Sequence, residues 1–464
     1  MQGGLAARLW WGTCAVAVAS VLGLALSLAP PLSGPASGAQ QAGAVHEGVA
    51  TCAGSTCHGR QVASGLVVRQ NELMTWQDSS GPAGAHSRAW RVLTEPRAQA
   101  IAARLGLGPA ERAATCLACH AESAPAAVRG GKFHLSDGVG CEACHGGSGL
   151  WLASHYAVGA GHASNVARGM ISLENPKTRA AVCLDCHFGS ARPGQFATHR
   201  LMSAGHPRLS FELDLFTELQ RHHDVDADYI QRKGAAGGVK TWAVGQAMAL
   251  ERALTVYADA RAGQEGVFPE YAFFDCHSCH RAISDDPKAR PRFQLNPGRP
   301  IPHGMAPFND ENMILLTAAA RVAAPGQAAR FEGDSHAFHL ALANDRSAAV
   351  RAAGQLAASS HALADAFAAR PLGRAEGLAM LDQISAEATS ARFTDYQGAV
   401  QAVMAVDTLL SAMAASGQVD RGRAAAIRPE INLAYQAVSD PNSFDPARFR
   451  AALGRAAASI RGLK

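Results

Sequence analysis

Neither sign of charge prevails in this chain. Across 464 residues, 42 lysines and arginines face 38 aspartates and glutamates, a formal net charge of +4, so no nucleic-acid-binding stripe is implied. Beyond residue 29 no apolar run reaches the length needed to cross a bilayer. Low-complexity and strongly polar tracts are also missing: 48% of residues are hydrophobic and 17% charged, which excludes a disordered or fibrous chain and leaves room for two or three cored domains. Finally, no cysteine is left unpaired outside the N-terminal leader.

Residues 1–39 read as that leader. Arg8 supplies a positive start, Trp10 to Ala29 is apolar, and Ser37-Gly38-Ala39 offers small residues for cleavage. The chain is therefore expected to be exported to the periplasm, as a soluble protein if the leader is cleaved, or N-terminally anchored if it stays. Cys14 lies inside the apolar run and reads as a small apolar residue.

The other ten of the 11 cysteines form five pairs, each followed at once by histidine. They are Cys52, Cys57 and His58; Cys116, Cys119 and His120; Cys141, Cys144 and His145; Cys183, Cys186 and His187; and Cys276, Cys279 and His280. Cysteines three apart on a helical turn share a face, from which both thiols reach the two vinyl groups of one haem, and the next residue falls beneath the iron. The first pair has four intervening residues, with Gly54 expected to let the widened loop close. Five disulfides would leave the histidine after every pair unexplained. Zinc would be over-supplied with ligands. Five covalently bound haem c groups follow, with His58, His120, His145, His187 and His280 as proximal iron ligands. Each ferric haem with two ionised propionates adds about −1, bringing the holoprotein close to neutral.

The motifs span residues 52–280. Five haems, each bringing several hundred square ångströms of apolar surface, on the order expected to replace a side-chain core, lead us to expect short helices joined by Gly-rich loops such as Gly146-Gly147-Ser148-Gly149. Prolines 287, 291, 297, 300, 302 and 307 mark an extended strap. From about Asp310 the chain turns Ala-rich and helical. Val400, Val403, Val406, Leu410 and Met413 share a face, as do Phe449, Leu453, Ala456 and Ile460, and Asp445-Pro446 reads as a helix start. The expected fold is mainly α, a multihaem cytochrome c domain over 40–309 with little regular sheet, then an antiparallel α-helical bundle over 310–464. That bundle could cover a haem face or form a partner interface.

For the sixth ligands the haem region offers His46, His86, His134, His155, His162, His199, His206, His222, His223, His277 and His303. His86, His155, His199 and His206 fit best, each a short distance from a motif. His277 reads as a spacer inside its motif. His222 and His223 precede Asp224, Asp226 and Asp228 and read as solvated, while His336, His339 and His361 read as surface residues. Histidine on both sides of the iron keeps potentials low, whereas methionine raises them.

The stretch Asp137-Gly138-Val139-Gly140-Cys141-Glu142-Ala143-Cys144-His145-Gly146-Gly147, together with Trp151, His155 and Thr198-His199-Arg200-Leu201-Met202-Ser203-Ala204-Gly205-His206-Pro207, resembles the cytochrome c-554 family of multihaem cytochromes over roughly residues 46–285. That resemblance implies closely stacked haems, electron carriage, and His86, His155, His199 and His206 as distal ligands, with His46 as candidate for the fifth. The family's type member carries four haems, so the five sites, the widened first motif and the helical C-terminus depart from it.

The leading expectation is an electron carrier between a donor and an acceptor redox protein. An alternative is an oxidoreductase with one open iron acting on a small nitrogen or sulfur compound. Pentahaem nitrite reductases put lysine in place of one motif histidine, and all five motifs here end in histidine. A third possibility is docking of the helical domain on a membrane quinol-oxidising complex.

Overall fold

The computed structural model describes residues 44–63, 69–265, 268–280, 285, 298–302, 304–309 and 311–464. The leader, and most of the proline strap, lie outside the described residues. The fold is mainly helical. Among the described residues, its paired strands are the two-residue segments Gln264–Glu265 and Phe268–Pro269, antiparallel to each other.

Seven helices follow residue 310: Glu311–Ala323, Pro325–Leu342, Arg346–Ala368, Arg374–Ala388, Tyr396–Ala415, Arg421–Ala437 and Pro446–Arg461. Alanine, with the best helix propensity, fills them, and their short connections fold each back on the last. Four of the starts are capped by side chains: Asp345, Asp395, Asp420 and Asp445 each accept amide hydrogen bonds from the first turn. Both predicted apolar faces point inward; Val403, Val406, Leu410, Met413, Phe449, Leu453, Ala456 and Ile460 are buried, and Val400 is half-buried against the same core. Tyr396–Ala415 has the length and mean hydropathy (1.4) of a membrane-crossing helix, and 78% of that window is buried as core. Its Gln397, Gln401, Asp407 and Thr408 are buried polar groups.

The haem-motif region is a succession of short helices, as expected, with one exception. Gly238–Ala258 is a 21-residue helix. It carries apolar residues all round, so no one-sided period marks it, and such a helix is stable only when enclosed. Trp242, Val244, Leu250, Leu254 and Tyr257 pack in one continuous core with Leu316, Leu356, Leu363 and Leu409. The apolar core of the C-terminal helices thus begins before the strap. Phe308, at the strap's end, stacks on Phe273 with ring centres 6.1 Å apart and meets Tyr257 and Phe338 edge-on.

Candidate cofactor sites

The thiol pairs sit on helical turns. Cys116 and Cys119 lie on Ala114–His120, Cys141 and Cys144 on Cys141–His145, Cys183 and Cys186 on the last turn of Pro176–His187, and Cys276 begins the short turn Cys276–Ser278. The widened first motif closes as a turn in which the amide of Cys57 donates to the Gly54 carbonyl (2.8 Å) and that of His58 to the Cys52 carbonyl (3.2 Å). Its indispensable glycine is Gly59, not Gly54. A Cβ at Gly59 would sit 1.9 Å from the Ala53 oxygen, whereas one at Gly54 meets only ordinary contacts. All ten cysteines are free.

Each motif histidine faces a second histidine. His58 stands 6.0 Å from His155 between ring centres, His120 6.3 Å from His206, His187 6.0 Å from His86, and His280 6.2 Å from His199. His145 faces two, His222 at 6.5 Å and His223 at 5.9 Å. An imidazole nitrogen bonds a metal at about 2.0–2.1 Å and the ring centre lies a little over 1 Å behind it, so two rings on opposite sides of one metal have centres about 6.3 Å apart. The five gaps fit an iron.

Second contacts fix the rings. Nδ1 of His58 meets the Glu72 carboxylate at 3.0 Å, that of His120 the Ala89 carbonyl at 2.9 Å, that of His206 the Pro207 carbonyl at 2.7 Å and that of His222 the Gln220 carbonyl at 3.1 Å. An imidazole held through Nδ1 presents Nε2 to a metal. Apolar surroundings push His145 down to about 3 and His187 to about 4, which keeps both neutral with a free lone pair. At the fourth motif Phe211 stacks on His187 at 5.0 Å and Phe216 meets it edge-on at 5.2 Å.

Residues 51–146, which hold the first three motifs, match the family described as cytochrome c554 and c-prime. Over that segment the chain is similar to c-type cytochromes. No curated protein and no solved structure matches the sequence. The fourth and fifth motifs lie beyond the matched segment, and each has a facing imidazole as the first three do.

Four of the five distal candidates, His86, His155, His199 and His206, lie opposite a motif histidine. His46 does not. It is 2% exposed, its Nδ1 meets Glu122 at 2.5 Å, and a Cβ at Gly147 would lie 3.1 Å from its Nε2, so the ring is packed onto the glycine run. Burial works against its charged form, but the bond to Glu122 raises its affinity for a proton overall. Nearby, Glu142 accepts amide hydrogen bonds from Glu47, Gly48 and Ser148 at 2.7–2.9 Å, tying the start of the described chain to the third motif.

The reading of His222 and His223 as solvated is corrected. Both are half-buried, while Asp224 and Asp226 pair with Arg69 at 2.7 and 3.1 Å and Asp228 with Arg232. The acidic stretch turns outward and the histidines turn in. His162 bonds Glu174 at 2.8 Å and His134 is exposed; His303 lies outside the described residues. His339, read as a surface residue, is 2% exposed, with Nδ1 on the Ser335 carbonyl, and His361 meets Glu251 at 3.1 Å.

The helical bundle supplies the surroundings of the fifth motif. Asp275 accepts the amides of Tyr396 (2.9 Å) and Gln397 (3.3 Å) on one oxygen and the Ser278 amide and hydroxyl (both 3.0 Å) on the other. The Gln397 side-chain Nε2 donates to Cys276 Sγ at 3.2 Å, Arg208 lies 4.0 Å from the same sulfur, and the spacer His277 reaches the Pro441 carbonyl at 2.8 Å. Sequence reasoning missed Glu72, Asp275 and Gln397, since each acts across a fold contact that no local pattern announces.

Proposed function

We propose that this is a periplasmic pentahaem c-type cytochrome that passes electrons between a donor and an acceptor redox protein through bis-histidine sites. The observation that carries it is the facing imidazole pair at every motif. Haem c, when bound, supplies an iron that takes up and releases one electron. The ten cysteines hold five such groups by thioether bonds, and His58, His120, His145, His187 and His280 hold the irons from one side. His155, His206, His86 and His199 hold four from the other, with His222 or His223 completing the third. Glu72 and the Ala89, Pro207 and Gln220 carbonyls fix ring orientation. Histidine on both sides keeps the potentials low and leaves no coordination position for a substrate.

The motifs also touch. The Cys52 thiol lies against Cys141, and Cys119 against Cys186, whose Sγ is 3.9 Å from the Ala118 carbonyl. Cys144 lies close enough to Cys183 and Cys186 to affect their ionisation. The first site therefore adjoins the third, the third the fourth, and the fourth the second. The short helix His199–Ser203 and the residues after it, bearing His199 and His206, join the second site to the fifth. This succession supports a continuous path.

Mass spectrometry of the purified protein is expected to show five haem additions, and low-temperature electron paramagnetic resonance of the oxidised protein only low-spin iron. Two kinds of low-spin signal are expected. Near-parallel rings donate into the same iron orbital and split the pair of π-type d orbitals, whereas near-perpendicular rings leave them nearly degenerate. The rings lie at 19° and 37° in the first and fifth sites and at 65–88° in the other three. A high-spin ferric signal would favour an open iron and hence an oxidoreductase.

A further inference from the structure

Beneath the fourth motif lies a pair of carboxyls that electron carriage by itself does not need. Glu212 is 1% exposed and Asp214 7%. They follow Phe211, the ring stacked on His187, and Leu213 between them packs on Ala180 and Leu184 of the helix that ends in His187. Among the described residues neither forms an ion pair. Glu212 accepts the amides of Asp214 (2.9 Å) and Leu215 (2.7 Å), and Asp214 lies against Gly238, where a Cβ would sit 2.7 Å from its oxygen. Two carboxyls this deep and this close cannot both ionise cheaply.

We propose that Glu212 and Asp214 form a proton-binding site coupled to the redox state of the fourth motif, so that an electron accepted there from a reduced redox protein is accompanied by a proton from solvent. The balance is one electron in and one proton in. The carboxylate becomes a carboxylic acid with a new O–H bond, the iron is reduced by one electron, and the donor protein is oxidised by one. The proposal rests on haem being attached at Cys183 and Cys186.

The surrounding groups fit this role. Burial, first, and for Asp214 the charge of Glu212, push both carboxyls up into the neutral range. Glu218 adds to the rise of Asp214, and Arg179 and Arg221 oppose it from a distance. From the Tyr396–Ala415 helix, the Thr408 hydroxyl lies beside Glu212 without a regular hydrogen bond. Asp407 on the same helix holds Arg428 at 2.6 Å and the Tyr435 hydroxyl at 3.1 Å, and Tyr435 is near enough to feel the charge of Glu212. Arg428 is 43% exposed. Tyr435, Asp407 and Arg428 thus form a polar chain that runs from the neighbourhood of Glu212 to the surface.

The sign is fixed. Raising pH strips the proton, leaves negative charge near the iron and disfavours reduction, so the potential should fall as pH rises through neutrality. The limit is tenfold in the reduced-to-oxidised ratio per pH unit, about 59 mV for one electron. The test is a spectroelectrochemical titration of the holoprotein over pH 6–9, alone and as Glu212→Gln, Asp214→Asn and the double variant, with redox-difference infrared spectra of each. His86→Met, which raises the fourth potential, identifies its transition. The expected result is a sloping fourth potential and a protonated-carboxyl band in the wild type, with both removed in the double variant. A flat wild-type profile, or a slope and band unchanged in the double variant, overturns the coupling. A protein without haem at the fourth motif fails earlier, by mass, and that outcome counts against the pentahaem reading itself.

Discussion

At the scale of single residues, chemistry here is decided by what lies behind each ring. His155 and His46 are both near cysteine motifs, yet His155 faces His58 with its Nδ1 3.5 Å from Asn165, while His46 spends its Nδ1 on Glu122. If His155 is a ligand, as proposed, and His46 a structural histidine, the two give opposite responses to substitution. His155→Phe is expected to convert the first site to high-spin iron in the oxidised spectrum. His46→Phe should leave the spectrum unchanged and lower stability by about 1–3 kcal/mol in denaturant unfolding, the cost of leaving the buried Glu122 unpaired. A new high-spin signal in His46→Phe would restore His46 as a ligand. Removing the carboxyls of Glu212 and Asp214 has a stability signature as well. Groups whose folded affinity for protons exceeds the unfolded one stabilise the fold fully below the ordinary carboxylate range and progressively less as pH rises toward neutrality. The double variant should lose that downward slope between about pH 4 and pH 8, its unfolding free energy followed by denaturant titration.

At the scale of elements, the fifth motif depends on a helix from elsewhere in the chain. Asp275 caps its own turn and simultaneously receives the first amides of Tyr396–Ala415, so one carboxylate fastens the turn of the fifth motif to the bundle. Asp275→Ala is expected to cost about 1–2 kcal/mol from lost capping and to yield a population with four haems by mass. Retention of five haems and full stability would show that the turn holds without the helix. The same contact explains why the C-terminal helices looked ambiguous in sequence. Their amphipathic faces were legible from Val403, Leu410 and Phe449, but an inward face does not say what the opposite end of a helix touches.

At the scale of the whole molecule, the helix Gly238–Ala258 binds the motif-bearing half to the C-terminal half. Trp242, Leu250 and Leu254 are 0–1% exposed and find their cover in residues after 310. A chain ending at residue 309 should therefore aggregate or lose haem, measured by yield and haem-to-protein ratio. A soluble truncated protein with five haems and cooperative unfolding would show two independent cores. The sequence by itself determined where the five thiol pairs and the histidine after each lie, and in four of them, with cysteines three apart, one helical turn places both thiols and the imidazole. It also determined the helical class of the C-terminal third. Only the tertiary structure decided which histidine stands opposite which motif, that His222 and His223 rather than His46 face the third, and that two buried carboxyls with no ion pair among the described residues sit beneath the fourth. Facing imidazoles come from segments far apart in the chain, and burial depends on what covers a side chain, which no local spacing records.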